Sequence, residues 1–314
     1  MTQELGFCVV GPGGIAGAHA KALRALGGCR FEWVVGRTQE SSGRFAEEWE
    51  FARFTDDLEV ALADGTVDVV LIASPNDLHF QQAARALQSR KHVIVEIPAA
   101  MSQRDAEELE QLRHKVNRQL LVCHTMRSYP AIRYVRDGVR TGALTVSQVN
   151  GFFSIPRRRN QNWTGGTRSW VDNLLWHHAC HQVDAAMWAL GLKAAERVCG
   201  HFGNRHATFG MTMDLSLTFR SASRQIVTHS LTYNAENEVW ELRFVADEGL
   251  LTFRGGALLD GAGNEIAAAV EWSDLRPQNQ DMLAAIRGEQ ESEYEIASVL
   301  PAMRVLQQVE RASR

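Results

Sequence analysis

The sequence predicts an α/β protein: a doubly wound parallel sheet followed by a second α/β domain whose sheet is mostly antiparallel. Three observations lead there. Up to about residue 125, short apolar runs alternate with amphipathic stretches, as strands buried on both faces and covered by helices require. Past residues 128–130 ("SYP") the pattern changes to strand-length segments of alternating polarity. The chain has 314 residues, 45% of them hydrophobic, which is ample for two cores.

In the first region the apolar runs 5–11, 31–36, 67–74, 92–97 and 119–124 read as strands, with helices over 76–89 and 102–117. Ser102 suits the start of the second helix, with Asp105 in the capping-box position. In the second region a short helix at 131–141 leads to a strand at 145–155, a polar loop at 156–169 and an apolar helix over 171–190. Segments 195–202, 209–219, 224–233, 238–246 and 249–254 alternate as half-buried strands do, and helices at 277–287 and 296–311 close the chain. The expected domains are 1–126, binding a dinucleotide, and 127–314, binding substrate and mediating oligomerisation. With no repeat or flexible linker between them, the cleft they form is the expected ligand site.

A formal net charge of -4 gives no basic field for nucleic acid. There is no basic leader with an apolar core, and no apolar window approaches the ~20 residues of a membrane span, so a cytoplasmic protein is expected. Five cysteines without paired spacing (Cys8, Cys29, Cys123, Cys180, Cys199) predict reduced thiols.

The stretch "CVVGPGGIAGAHA" runs from a strand into a helix and fits G-x-G-x-x-G/A with Gly11, Gly13 and Ala16. Gly11 permits the tight turn, Gly13 lets backbone approach a pyrophosphate, and Ala16 allows close helix–strand packing. Gly14 and Ile15 then sit at the helix start that faces the anion. The second strand ends at Gly36, Arg37 and Thr38, with no carboxylate for a ribose 2′-hydroxyl. An arginine there attracts a 2′-phosphate, so NADP is favoured and NAD is the less favoured alternative. Arg37 could equally be a solvated charge stacked on adenine.

The glycine loop, "SPNDLH" (74–79), "EIP" (96–98) and the pair His181 and Asp184 follow one another in an order that resembles the Gfo/Idh/MocA oxidoreductases, over the whole chain. The resemblance implies a Rossmann domain, a second domain with an open sheet, assembly into homodimers or higher homo-oligomers, and redox chemistry at carbinol carbons of sugars and cyclitols. Two positions depart from the family pattern. Ile97 stands where a lysine is usual, and His177 stands where an aspartate usually precedes the histidine by four residues. The stretches "VEIP", "RRRNQN" and "RSWVDNLLWHHACHQVD" resemble one branch of the family, which serves protocatechuate degradation, uses NADP and oxidises the cyclic hemiacetal of a carboxylated semialdehyde to a lactone.

That chemistry needs a base for the hydroxyl proton, and histidine has the pKa for it near neutrality. On a helix His181 shares a face with His177 at i, i+4 and with His178 at i, i+3. His181 is the expected base because it matches the family position, with His177, His178 and Asp184 beside it. Asp184 could hold an imidazole in one tautomer or bridge to an arginine. His177 and His178 could instead be packed core groups. No metal is expected, since His178 replaces the glutamate of H-E-x-x-H and hydride transfer needs no Lewis acid.

A carboxylated substrate calls for arginines, and "RRRNQNWTGGTRSW" supplies Arg157, Arg158, Arg159 and Arg168 with Trp163 and Trp170. Arg158, Arg159, Arg168, Trp170 and His124 are the substrate-binding candidates. Ser74, Pro75, Asn76, His79, Glu96, Ile97, Pro98 and Arg127 are expected around the nicotinamide half, because they follow carboxyl ends of strands, with Glu96 either holding a ribose hydroxyl or turning the backbone. Asn76 could instead cap the next helix. Two other readings stay open: a sugar or cyclitol dehydrogenase, and a non-catalytic NADP-binding sensor suggested by Ile97.

Overall fold

The computed structural model describes residues 4–157, 159–161, 171 and 173–312. The chain divides into two compact units, one of residues up to 123 with 273–300, the other of residues 124–272 with those from 301 on. Whereas the sequence suggests one boundary near 126, the first unit also takes in a segment returning from the C-terminal part. Among the described residues no helix is long and apolar enough to cross a membrane.

The first unit runs β1 (Leu5–Val10), α1 (Gly14–Leu26), β2 (Cys29–Val35), α2 (Gln39–Glu48), β3 (Arg53–Thr55), α3 (Leu58–Leu62), β4 (Val69–Ile72), α4 (His79–Gln88), β5 (His92–Val95), α5 (Gln103–Val116) and β6 (Leu120–Val122). The strands form a parallel sheet in the order β3-β2-β1-β4-β5-β6. β1 and β4 are buried along their whole length, which is why they read as unbroken apolar runs. Ser102 Oγ accepts the Asp105 N–H at 3.1 Å and starts α5. β3 escaped the sequence reading because it is three residues long, begins with Arg53, and is held by its ladder to Trp33–Val35. The order reverses between β1 and β4, so a crevice opens beyond their carboxyl ends.

The second unit contains α6 (Pro130–Thr141), β7 (Val146–Ser154), α7 (Cys180–Ala189), β8 (Glu196–Phe202), β9 (Asp214–Arg220), β10 (Ile226–Thr232), β11 (Val239–Ala246), β12 (Gly249–Arg254), β13 (Ala257–Leu259) and β14 (Glu265–Ala267). Its sheet has the order β14-β13-β12-β11-β7-β10-β9-β8 and is antiparallel except where β7 pairs with β10. β13 and β14, three residues each, were not among the segments read as strands. Phe153, Phe219, Phe244 and Phe253 fill its core, and α7 packs on α6 and β10. α8 (Arg276–Ile286) and residues to Tyr294 return to the first unit, where Met282, Leu283 and Ile286 join Phe7, Val9, Leu71 and Ile94 in one core. α9 (Ile296–Ala312) ends the described chain.

The helix expected over 171–190 is two pieces. A π-helical turn at Leu174–Ala179 precedes α7, and Asn173 Oδ1 caps it by accepting the N–H groups of Leu175 (3.1 Å) and Trp176 (3.0 Å). Trp176 Nε1 donates to Glu310 Oε1 at 3.2 Å, so the turn is pinned at its start. π turns of this kind collect at functional sites.

Candidate active site

In the first unit, β1 delivers Gly11 with φ +91, and a Cβ there would lie 2.5 Å from the Ser74 backbone N. Only glycine lets the loops after β1 and β4 come so close. The place a Cβ would take on Gly13 has no heavy atom within 4 Å, and no side chain caps α1 at Gly13. The first turn, which includes Gly14, Ile15 and the buried Ala16, carries no acidic residue, so no carboxylate of its own answers the positive end of the helix. These features fit a dinucleotide pyrophosphate.

At Gly36 a Cβ would stand 2.6 Å from Ser42 Oγ and 2.9 Å from Pro12 Cγ, so a side chain at the position where a ribose-binding carboxylate is usual would require Ser42 and Pro12 to shift. Arg37 beside it is exposed and makes no ion pair with a described residue. Thr38 caps α2, its Oγ1 accepting the Ser41 N–H at 3.2 Å. His79, fully buried, lies 2.8 Å from Ser74 O and 2.8 Å from Pro98 O, which ties the loops after β4 and β5 together. Burial pushes its pKa down. Ser74 Oγ donates to Gln82 Oε1. Pro75 precedes a short 3-10 turn that Asn76, 8% exposed, begins. Ile97 is 4% exposed, so the position that carries lysine in the family is here part of the core. Glu96 Oε1 is 2.8 Å from His19 Nε2, and its Oε2 accepts the Ile97 N–H at 3.2 Å.

In the second unit the histidines divide by environment. His178 is packed, its ring stacked on Phe153 (4.6 Å between centroids) and its Nδ1 2.7 Å from Tyr233 Oη. His177 stacks on His178 at 4.4 Å. His181 stands edge-on to His177 at 6.4 Å and to Trp240 at 5.5 Å, and its Nδ1 has no hydrogen-bond partner among the described residues. Its pKa lies well below the usual imidazole value, first because burial disfavours the cation and then because His177 and His124 add like charge. The ring is therefore neutral near pH 7, the form in which one of its nitrogens carries a lone pair.

Asp184 turns elsewhere. Its carboxylate accepts Arg127 Nε at 2.8 Å and Arg127 Nη2 at 2.5 Å, and His124 Nδ1 lies 3.1 Å from Oδ2. Arg127 is fully buried over Trp188, so its fork is committed to this carboxylate. The imidazole beside Asp184 is therefore His124, itself 1% exposed. Of the substrate-loop candidates, Arg159 is exposed, while Arg157 Nη1 donates to Gln161 O at 2.7 Å. Arg158, Arg168, Trp163 and Trp170 lie outside the described residues.

Trp240, Tyr233 and Phe153 were missed by sequence reasoning. Trp240 faces Phe153 across the β7–β11 ladder and is one of a period-two set with Leu242 and Phe244, a signal that marks an inward face but names no function.

A doubly wound sheet with an anion-accepting glycine loop, followed in the chain by a histidine-bearing helix on an open sheet, defines a nicotinamide-dependent oxidoreductase. Residues 5–124 match the family described as oxidoreductase family, NAD-binding Rossmann fold, and residues 130–271 match bacterial oxidoreductases, C-terminal. The 4-carboxy-2-hydroxymuconate-6-semialdehyde dehydrogenase of Sphingobium sp. is 31% identical over 309 residues, 97% of either chain. The inositol 2-dehydrogenase of Rubrobacter xylanophilus is 28% identical over 60% of this chain and 52% of its own. In structure, GenD2 from gentamicin A biosynthesis, solved in complex with NAD, superposes with a TM-score of 0.85 at 21% identity, covering 100% of this chain and 95% of that one. The chain belongs to the Gfo/Idh/MocA oxidoreductase family.

Proposed function

We propose that the protein is an NADP-dependent dehydrogenase that oxidises the cyclic hemiacetal of 4-carboxy-2-hydroxymuconate-6-semialdehyde to 2-pyrone-4,6-dicarboxylate, acting as a cytoplasmic homo-oligomer. The observation that carries this reading is the match to the Sphingobium dehydrogenase over 97% of both chains, whereas the inositol dehydrogenase matches over 60% of this one. The bound dinucleotide supplies the hydride acceptor. The chain's own part is to remove the hydroxyl proton, and His181 accepts it as the ring C–H leaves as hydride, so that the carbinol carbon becomes the lactone carbonyl. Trp240 gives His181 an aromatic neighbour against which a planar ring can lie. Arg159, with Arg158 and Arg168, would meet the carboxylates, and Arg37 the 2′-phosphate.

The test is formation of reduced nicotinamide from this semialdehyde with NADP and with NAD, in the wild type and in His181→Ala. Turnover that prefers NADP and collapses in the variant is the expected result. Turnover of inositols or sugars alone would favour the cyclitol reading, which the partial match to inositol 2-dehydrogenase motivates. Dinucleotide binding without turnover of either class would favour a sensor, which the buried Ile97 motivates.

A further inference from the structure

We infer that Asn279 and His19 are positioning residues that hold the Glu96 carboxylate for the hydroxyls of the nicotinamide-side ribose. The inference rests on dinucleotide binding and not on the proposed carbon substrate. Glu96 follows β5, on the far side of the β1/β4 reversal from Arg37, so the nicotinamide half of a dinucleotide lying across the crevice falls to its side. Its side chain is 15% exposed, and it is the outermost group of an otherwise buried chain of contacts.

Two groups converge on that carboxylate. His19 Nε2 is 2.8 Å from Oε1 and the Ile97 N–H reaches Oε2 at 3.2 Å, while the Cys123 Sγ lies 3.8 Å from His19 Nε2. His19, on α1, is fully buried, and its Nδ1 lies 3.1 Å from Asn279 Oδ1 on α8. With Nε2 donating to Glu96, Nδ1 of a neutral ring accepts from the Asn279 amide turned to present its NH2, and Nδ1 of a protonated ring donates to Oδ1, so this fully buried amide fixes the imidazole plane in both charge states. A glutamate at a crevice edge would otherwise be spread over many rotamers, whereas a bracketed carboxylate keeps its remaining lone pairs aimed outward at vicinal hydroxyls.

The same Nε2, Oε1 and Sγ atoms lie within 4.8 Å of one another, a spacing that also suits a metal ion. Burial pushes the Cys123 thiol well above its ordinary pKa, so without an ion it stays protonated.

The experiment is a titration of the full chain with NADPH and NADH, and with their adenylate halves, adenosine 2′,5′-bisphosphate and ADP. His19→Leu and Asn279→Leu should weaken the dinucleotide about tenfold, the effect of one lost charge-assisted hydrogen bond, and leave the adenylate half within about twofold. His19→Gln, which keeps a donor toward Glu96, should recover most of the loss. Adding His19→Leu to Glu96→Gln should cost nothing beyond Glu96→Gln alone. Unchanged dinucleotide affinity in His19→Leu would overturn the inference, as would equal loss of both ligands, which marks general damage. Stoichiometric zinc that disappears in Cys123→Ser would overturn it too, by making the three groups ligands. No carbon substrate enters these titrations, so failure of the proposed reaction leaves their outcome readable.

Discussion

At the scale of single residues, the proposed chemistry turns on His181. A pKa held below the ordinary imidazole value keeps the ring neutral through the neutral range, so the acid limb of kcat/KM should fall below the ~6.5 of free histidine. Removing like charge should reverse part of this: His177→Asn is expected to move that limb upward, read from a pH–rate profile. His181→Asn should lower kcat by about 10²- to 10⁴-fold while leaving dinucleotide affinity unchanged, which separates a base from a binding group. The glycine loop was legible in the sequence because its meaning is local: Gly11 and Gly13 serve the turn they occupy. Trp240 was not, since its place beside His181 depends on the β7–β11 register, which brings residues distant in the chain together.

At the scale of elements, the cluster of Arg127, Asp184 and His124 holds the 3-10 turn at Thr125–Ser128 against α7. Arg127 and Asp184 are 0% and 2% exposed, so neither charge has water to fall back on. Arg127→Met should therefore cost about 3–5 kcal/mol, measured as a shift in urea unfolding at constant m-value, by leaving the buried Asp184 carboxylate without its guanidinium and with His124 alone beside it. Spacing alone left Asp184 open to an imidazole or an arginine, and in the structure its carboxylate accepts both Arg127 nitrogens with His124 beside it. The reason is electrostatic: a buried guanidinium requires the bidentate carboxylate, and the remaining edge of that carboxylate faces His124. The π turn at Leu174–Ala179 was likewise hidden, because residues of helical propensity do not distinguish it from the α-helix it precedes.

At the scale of the whole molecule, two predictions test how the units are built. The first unit draws Met282, Leu283 and Ile286 of α8 into the core around β1 and β4, so a fragment of residues 1–126 should expose that surface and aggregate. The same fragment joined to 273–300 should be monomeric and cooperative in circular dichroism melts. In the second unit, His229 is buried with both ring nitrogens lacking a hydrogen-bond partner among the described residues, and burial pushes its pKa down to about 3. The unfolded chain takes up this proton near pH 6.5 and the folded one only near 3, so stability falls as pH drops through that window. His229→Leu should flatten the loss of urea midpoint between about pH 7 and pH 5. By itself, the sequence determined the alternation of strands and helices, the dinucleotide loop and the histidines available to chemistry, because hydrophobic period and turn geometry are properties of neighbours in the chain. Only the tertiary structure decided that α8 belongs with the first unit, that Asp184 lies against Arg127 and His124, and that His178 is core while His181 Nδ1 has no hydrogen-bond partner among the described residues. Burial and pairing of charge are set by contacts between distant segments, and no local pattern encodes them.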